Sequence, residues 1–247
     1  MKRLLPLLVL LGWISSLTGQ SWSLETTIHR GRILKHTPRI TYPIPASSNG
    51  LTVEWLYQTD GNKDWQEHHG YPLFGLAFRY YHLGDANILG HAIGLYPNLH
   101  LTLVNQPRWS MHFTVGSGLA VLTRSFDRLD NPLNNAIGSS VNNITAFALR
   151  FNFRLNDRLS LVGQGSFTHF SNAATSLPNL GINIPALAIG ARYYPQRYSE
   201  KRLSGHSKMP TRRWGGFAFS GIGFKETALP GGAKWPIYFS SVGVLYR

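Results

Sequence analysis

The chain has no cysteine, and only 11 of its 247 residues are acidic. Without thiols the exported protein holds no disulfide, and no lipid anchor can be built on an N-terminal cysteine. Long apolar runs are missing too. After the first residues, no segment reaches the roughly 18 consecutive apolar residues of a helical membrane span. Helical periodicity is almost absent, as are internal repeats and disordered low-complexity tracts. The scarcity of acid leaves 24 Lys+Arg and a net charge of +13. Nucleic acid is a poor explanation for that charge, since the chain is rich in aromatic residues and shows no nucleic-acid module. An anionic membrane surface or a phosphorylated lipid fits it better, and basic turns that keep the protein soluble fit it equally well.

What is present begins with MKRLLPLLVLLGWISSLTGQSWS. Lys2 and Arg3 precede an apolar run from Leu4 to Ile14, and small and polar residues follow. That is the pattern of a secretory signal peptide over residues 1–22, cleaved between Gly19 and Ser23.

From residue 51 onward, large apolar side chains alternate with small, polar or charged ones. Phe74, Leu76, Phe78 and Tyr80 alternate with Gly75, Ala77 and Arg79. Thr145, Phe147, Leu149, Phe151 and Phe153 alternate with Ala146, Ala148, Arg150, Asn152 and Arg154. A soluble sandwich would bury the apolar row, whereas a transmembrane barrel would turn it toward lipid and keep the other row inside. The second row carries Arg79, Arg150 and Glu54 among glycines and alanines, which suits a narrow polar interior. The segments run about ten residues or more and are edged by Trp and Tyr, as membrane-spanning strands are. The sequence therefore predicts an all-β fold, an antiparallel transmembrane barrel over residues 23–195. Its strands are expected at Ile28–Lys35, Leu51–Thr59, Leu73–His82, Gly90–Val104, Ser110–Leu122, Val141–Arg154, Arg158–Phe170 and Ile184–Tyr194. Eight strands leave an interior filled by side chains, which argues against a pore. Residues 196–247 read as a basic linker followed by a hairpin, Trp214–Lys225 and Ile237–Tyr246. The hairpin either raises the barrel to ten strands or stands beside it.

In "SFTHFSNAATSLPNLGIN" (residues 166–183), His169 and Ser171 lie two positions apart on one strand and share a face. The apolar row of that strand, Leu159 and Leu161 through Phe167, leads into them, so the pair is expected on the lipid-facing wall near the outer rim. Asn183 lies at the end of the matching row of the next strand. A rim histidine and serine ordinarily bond to water or headgroups; the sharper reading is a nucleophile beside its base. His68, His69, His82, His91, His100 and His112 show no metal-ligand spacing on a shared element, so neither a metal nor another cofactor is expected.

The run His169-Phe170-Ser171-Asn172-Ala173, followed by Pro178-Asn179 and Gly181, resembles the signature of the lipid A 3-O-deacylase (PagL) family. Ser139-Ser140-Val141-Asn142 resembles the family's entry into the sixth strand. The likeness implies an eight-stranded outer-membrane barrel that hydrolyses the ester at position 3 of lipid A without a metal. By position, it implies Ser171 as nucleophile, His169 as general base, Asn172 as oxyanion donor and Asn179 in support. Where the family carries a glutamate that orients the histidine, this chain has Asn183. Either the amide serves in its place, or a nearby acid substitutes, Asp127 and Asp130 being the candidates, or activity is gone.

The expected function is therefore an outer-membrane esterase acting on lipid A or lipopolysaccharide, as a monomer or homodimer. The alternative is a non-catalytic barrel that binds lipopolysaccharide or has a structural role.

Overall fold

A computed structural model describes residues 22–197, 214–227 and 229–246. Nearly all of the expected signal peptide and most of the basic linker lie outside the described residues. Eight strands are formed by β1 (Trp22–Gly31), β2 (Ser48–Gln58), β3 (Leu73–His82), β4 (His91–Asn105), β5 (Trp109–Leu122), β6 (Val141–Asn156), β7 (Leu159–Ser171) and β8 (Ile182–Tyr193). Each pairs antiparallel with its neighbours, and β1 closes the barrel against β8, from Leu24 opposite Tyr193 to Gly31 opposite Ala186. A five-residue helix, α1 (Asp64–His68), interrupts the β2–β3 connection.

The alternation sorts as expected. Phe74, Leu76 and Phe78 are exposed, while Gly75, Ala77 and Arg79 face inward; β6 repeats the pattern. Inward from the wall, Arg150 donates to Glu25 at 2.7 Å and to Glu54 at 2.6 Å. Arg192 also bonds Glu25 at 2.7 Å, and His100 bonds Glu54 at 2.8 Å. These charges are almost fully buried, and burial of that kind is tolerated only when each ion has partners. Toward the end that carries loops 32–47, 83–90, 123–140 and 172–181, the interior turns apolar. Ile33, Ile40, Tyr42, Tyr81, Tyr96, Ile144 and Phe170 pack there into one cluster. The loops at this end are therefore anchored in a plug that fills the lumen, a firm base for a site at the rim.

The first strand is displaced from expectation, while the ends of the other strands agree within three residues. The first strand runs Trp22–Gly31, not Ile28–Lys35. Its inward row is Ser23, Glu25, Thr27 and His29, and its outward row mixes Leu24 and Ile28 with Thr26 and Arg30. With polar groups in both rows, the hydrophobic alternation is masked. The C-terminal strands β9 (Trp214–Glu226) and β10 (Lys234–Tyr246) pair only with each other, so the wall has eight strands and not ten. The hairpin meets the barrel through its turn. The Glu226 N–H donates to the Ala174 carbonyl at 2.9 Å, and Arg128 donates to the Pro230 carbonyl at 2.5 Å.

Candidate active site

Along β7, Ser160, Val162, Gln164, Ser166, Thr168 and Phe170 are buried, and the alternate row faces out. Side-chain direction in a strand has period two, so this parity puts His169 and Ser171 on the outer wall. They sit at the loop-rich end of the strand. β8 lies alongside with His169 directly opposite Asn183, and β6 places Thr145 and Asn143 opposite His169 and Ser171. The outward row is apolar along most of each strand and turns polar here. Asn143 donates to Ser117 at 2.9 Å and accepts from Thr145 at 2.8 Å.

The His169 Nδ1–H donates to Asn183 Oδ1 at 2.6 Å. That bond leaves Nε2 as the ring's free acceptor. Ser171 Oγ accepts from the Ala173 N–H and from Asn179 Nδ2, each at 3.2 Å. Among the described residues no hydrogen bond joins Ser171 to His169. The two side chains share the outward row two residues apart, with Ser171 Oγ turned to the loop donors.

The loop 172–181 is held from several sides. Asn172 donates its N–H to Asn179 Oδ1 at 3.1 Å and its side-chain amide to Ser139 Oγ and the Ser176 carbonyl, at 2.7 and 2.9 Å. Asn172 is thus a brace that aims Asn179 at Ser171. With its N–H and both side-chain amide hydrogens engaged in the loop, Asn172 has no donor left over for the oxyanion role the resemblance implies. Ser176 bonds the Gly138 carbonyl at 2.9 Å, and Asn179 forms a bridge with Ile137. The hairpin adds Glu226, whose carboxylate accepts from the Leu177 and Gly231 N–H groups.

Asp127 and Asp130 are not near His169's hydrogen bonds. Asp127 Oδ1 accepts the N–H groups of Leu129 and Asp130 at 2.8 and 2.9 Å, capping its own turn. Those bonds, the one from Asp130 first, hold its carboxyl below the usual range. Asn183 is the group that the fold sets on the imidazole.

Six residues at or beside the site carried little or no signal in the sequence. Ala173 and Ala174 adopt left-handed φ angles of 54° and 62°, which alanine disfavours, so nothing in their identity marks the turn that aims the Ala173 N–H. Gly181, at φ 79°, passes so close that a Cβ there would lie 2.9 Å from His169 Cε1. Its place in the motif was visible, but not its contact. His36, 147 residues from Asn183, accepts a bond from the Asn183 amide at 3.0 Å. Arg30 and Arg32 were hidden by the displaced first strand.

Those two arginines stand at an open groove of about 660 Å³ on the outer wall, with Phe113, Phe147, Phe167, Pro185 and Leu187 along it. Its floor exists because the outward row of β7 has glycine at 165, and the same row has a second glycine at 163. An added Cβ at either would meet nothing within 4 Å. A second depression of about 390 Å³ continues past Gly163, Met111 and Phe151. The row that ends in His169 and Ser171 therefore begins as an apolar trough.

The sequence profile of the family described as lipid A 3-O-deacylase (PagL) matches residues 49–192. The chain belongs to the lipid A 3-O-deacylase family. The matched segment contains His169, Ser171, Asn172, Asn179 and Asn183 and leaves out the C-terminal hairpin. Membership places the chain among the outer-membrane lipid A deacylases. Among solved structures, the outer membrane enzyme PagL is 18% identical, with 67% of this chain and 97% of that one covered and a TM-score of 0.43. Neisserial surface protein A is 8% identical, covering 70% and 96%, with a TM-score of 0.46. Ail, the attachment invasion locus protein of Yersinia pestis, is 9% identical, covering 71% and 98%, with a TM-score of 0.39. No curated protein matches the chain.

Proposed function

We propose that the protein is a serine esterase of the outer membrane that removes the 3-hydroxyacyl chain from position 3 of lipid A, with Ser171 as nucleophile and His169 as base. One observation carries this reading. A histidine with its Nδ1–H committed to Asn183 stands beside a serine on the lipid-facing wall, at the end of a row that is otherwise an apolar groove. A soluble substrate has no reason to approach there; an acyl chain already in the leaflet does.

In the first step His169 Nε2 takes the Ser171 hydroxyl proton as Oγ attacks the ester carbonyl. The Ala173 N–H and Asn179 amide, which bond Oγ at 3.2 Å in the resting site, are the nearby donors that would turn to the oxyanion once Oγ has attacked. Collapse of the tetrahedral intermediate releases the sugar 3-hydroxyl, which takes the proton from His169. Water, deprotonated by the same imidazole, then frees the 3-hydroxy fatty acid and restores Ser171. The acyl chain runs from Ser171 down the outward row past Phe167 toward the trough, whose Gly165 lies about 20 Å of strand away. Arg30 and Arg32 meet a phosphate of the headgroup.

The non-catalytic reading draws on Asn183 itself, because a neutral amide gives the imidazolium no charge support. Both readings are tested by incubating the detergent-folded barrel with purified lipid A and weighing the products. Loss of one 3-hydroxyacyl chain, absent with Ser171→Ala and His169→Ala, is the outcome expected of the esterase. Unchanged lipid A from a folded barrel selects the binding role.

A further inference from the structure

An amide in place of a carboxylate raises a question of polarity as well as of charge. A carboxylate presents only acceptors, so it forces the facing imidazole nitrogen to carry a proton. An asparagine presents an acceptor on one side and a donor on the other. Turned about, Asn183 would give its N–H to His169 Nδ1, move the ring proton to Nε2, and leave the base facing Ser171 without a lone pair. Something has to choose the orientation.

We propose that His36 is that group, a positioning residue that sets the tautomer of His169 through Asn183. This inference rests on the esterase reading of the same site. The hydrogen-bond polarity can be followed from a fixed point. The Leu180 carbonyl can only accept, and His36 Nε2 lies 3.0 Å from it, so Nε2 carries the proton. In the neutral ring Nδ1 is then an acceptor, and it faces Asn183 Nδ2 at 3.0 Å. Asn183 consequently turns Oδ1 to His169, whose Nδ1–H donates to it at 2.6 Å. The chain of donors ends with a free lone pair on His169 Nε2, where the Ser171 proton has to go. The Leu34 carbonyl also lies 3.2 Å from His36 Nδ1, a longer contact than the 3.0 Å from Nε2 to Leu180, so the shorter bond sets the proton on Nε2.

The local fold supports this reach. The loop 32–47 leaves β1 beside the start of β8, where the Leu34 N–H donates to the Asn183 carbonyl at 2.8 Å and the Arg32 N–H to the Pro185 carbonyl at 3.3 Å. The backbone at 34 is thus pinned to the residue whose side chain His36 orients. Ile33 and Ile40, on either side, are buried in the apolar plug.

The test measures lipid A deacylation by the full chain in detergent, together with the ¹⁵N ring signals of His169, which report which nitrogen is protonated. His36→Ala is expected to lower kcat by about five- to tenfold, as befits one lost hydrogen bond, with KM unchanged. His36→Asn, which keeps an acceptor near the Nδ1 position, is expected to recover most of that loss. In an Asn183→Glu background, whose carboxylate has no wrong way round, His36→Ala is expected to cost nothing further, the double variant matching Asn183→Glu alone. In the spectrum, His169 is expected to change from Nδ1–H alone to a mixture of tautomers when His36 becomes alanine. An unchanged kcat in His36→Ala overturns the proposal, and so does a loss that Asn183→Glu leaves in place, since that marks a purely structural role. If the wild type and Ser171→Ala both leave lipid A intact, the esterase reading fails by itself. The His169 spectrum then decides on His36: a tautomer indifferent to His36→Ala overturns the proposal.

Discussion

His169 and Asn183 stand directly opposite each other on β7 and β8, joined by a 2.6 Å hydrogen bond from Nδ1 to Oδ1. The pairing is a product of strand register. A slip of one residue would turn one of the two into the lumen. The imidazole is thus held by an uncharged partner, on the side of the ring away from its free nitrogen.

That partner can be improved. Asn183→Glu puts a negative charge against the ring and stabilises the imidazolium that forms when Ser171 attacks. A rise in kcat of about tenfold or more is expected, measured as release of 3-hydroxy fatty acid from lipid A. Asn183→Ala, which leaves the ring unheld, is expected to move kcat the other way.

Gly181 guards the ring from the loop side. Gly181→Ala forces a left-handed φ on alanine at a cost of about 1–2 kcal/mol and sets a methyl 2.9 Å from His169 Cε1. Activity is expected to fall well beyond the loss in stability, while the barrel keeps its heat-modifiable gel mobility. Normal turnover in this variant would mean that the ring position is not critical.

The trough on β7 allows a separate test of the substrate's course. An added Cβ at Gly165 meets nothing within 4 Å and the groove beside it is open, so Gly165→Phe is expected to change stability by no more than a surface substitution does, within about 0.5 kcal/mol. The new ring occupies the groove, so deacylation of lipid A is expected to slow through a raised KM, while a short-chain ester is hydrolysed as before. Equal effects on both esters would remove the trough from the account.

Glu226 ties the hairpin to the catalytic loop. It is buried, and its carboxylate serves the Leu177 and Gly231 N–H groups. Glu226→Ala leaves both donors unpaired, at about 1–3 kcal/mol each where water cannot replace the bond. Faster hydrogen exchange at Leu177 is expected, with the barrel strands unaffected.

Most of the fold could be read from the chain because a barrel wall is a period-two code: Phe78, Leu76 and Phe74 outside, Arg79, Ala77 and Gly75 within. β1 escaped that code, since Glu25, Thr27 and His29 are joined by polar groups in the outward row as well. The same masking concealed Arg30 and Arg32 at the groove. At the site, His169, Ser171 and Asn183 were visible from spacing and resemblance, because each is a chemistry-bearing residue at a fixed offset. Ala173 was not, since its contribution is a backbone N–H aimed by a strained φ. His36 lies 147 residues from its partner, and the closure of β1 against β8 brings the two together. Whether the hairpin joined the wall depended on edge pairing, on which alternation alone is silent.

In the proposed mechanism His169 makes Ser171 a nucleophile on the lipid-facing wall. The most direct test is to treat the detergent-folded barrel with a lipophilic fluorophosphonate and map the adduct by peptide mass spectrometry. The account expects one phosphonyl group, on the peptide carrying Ser171, formed at least about a hundredfold more slowly in His169→Ala. A folded barrel that takes up no label, or takes it up on another serine, contradicts it.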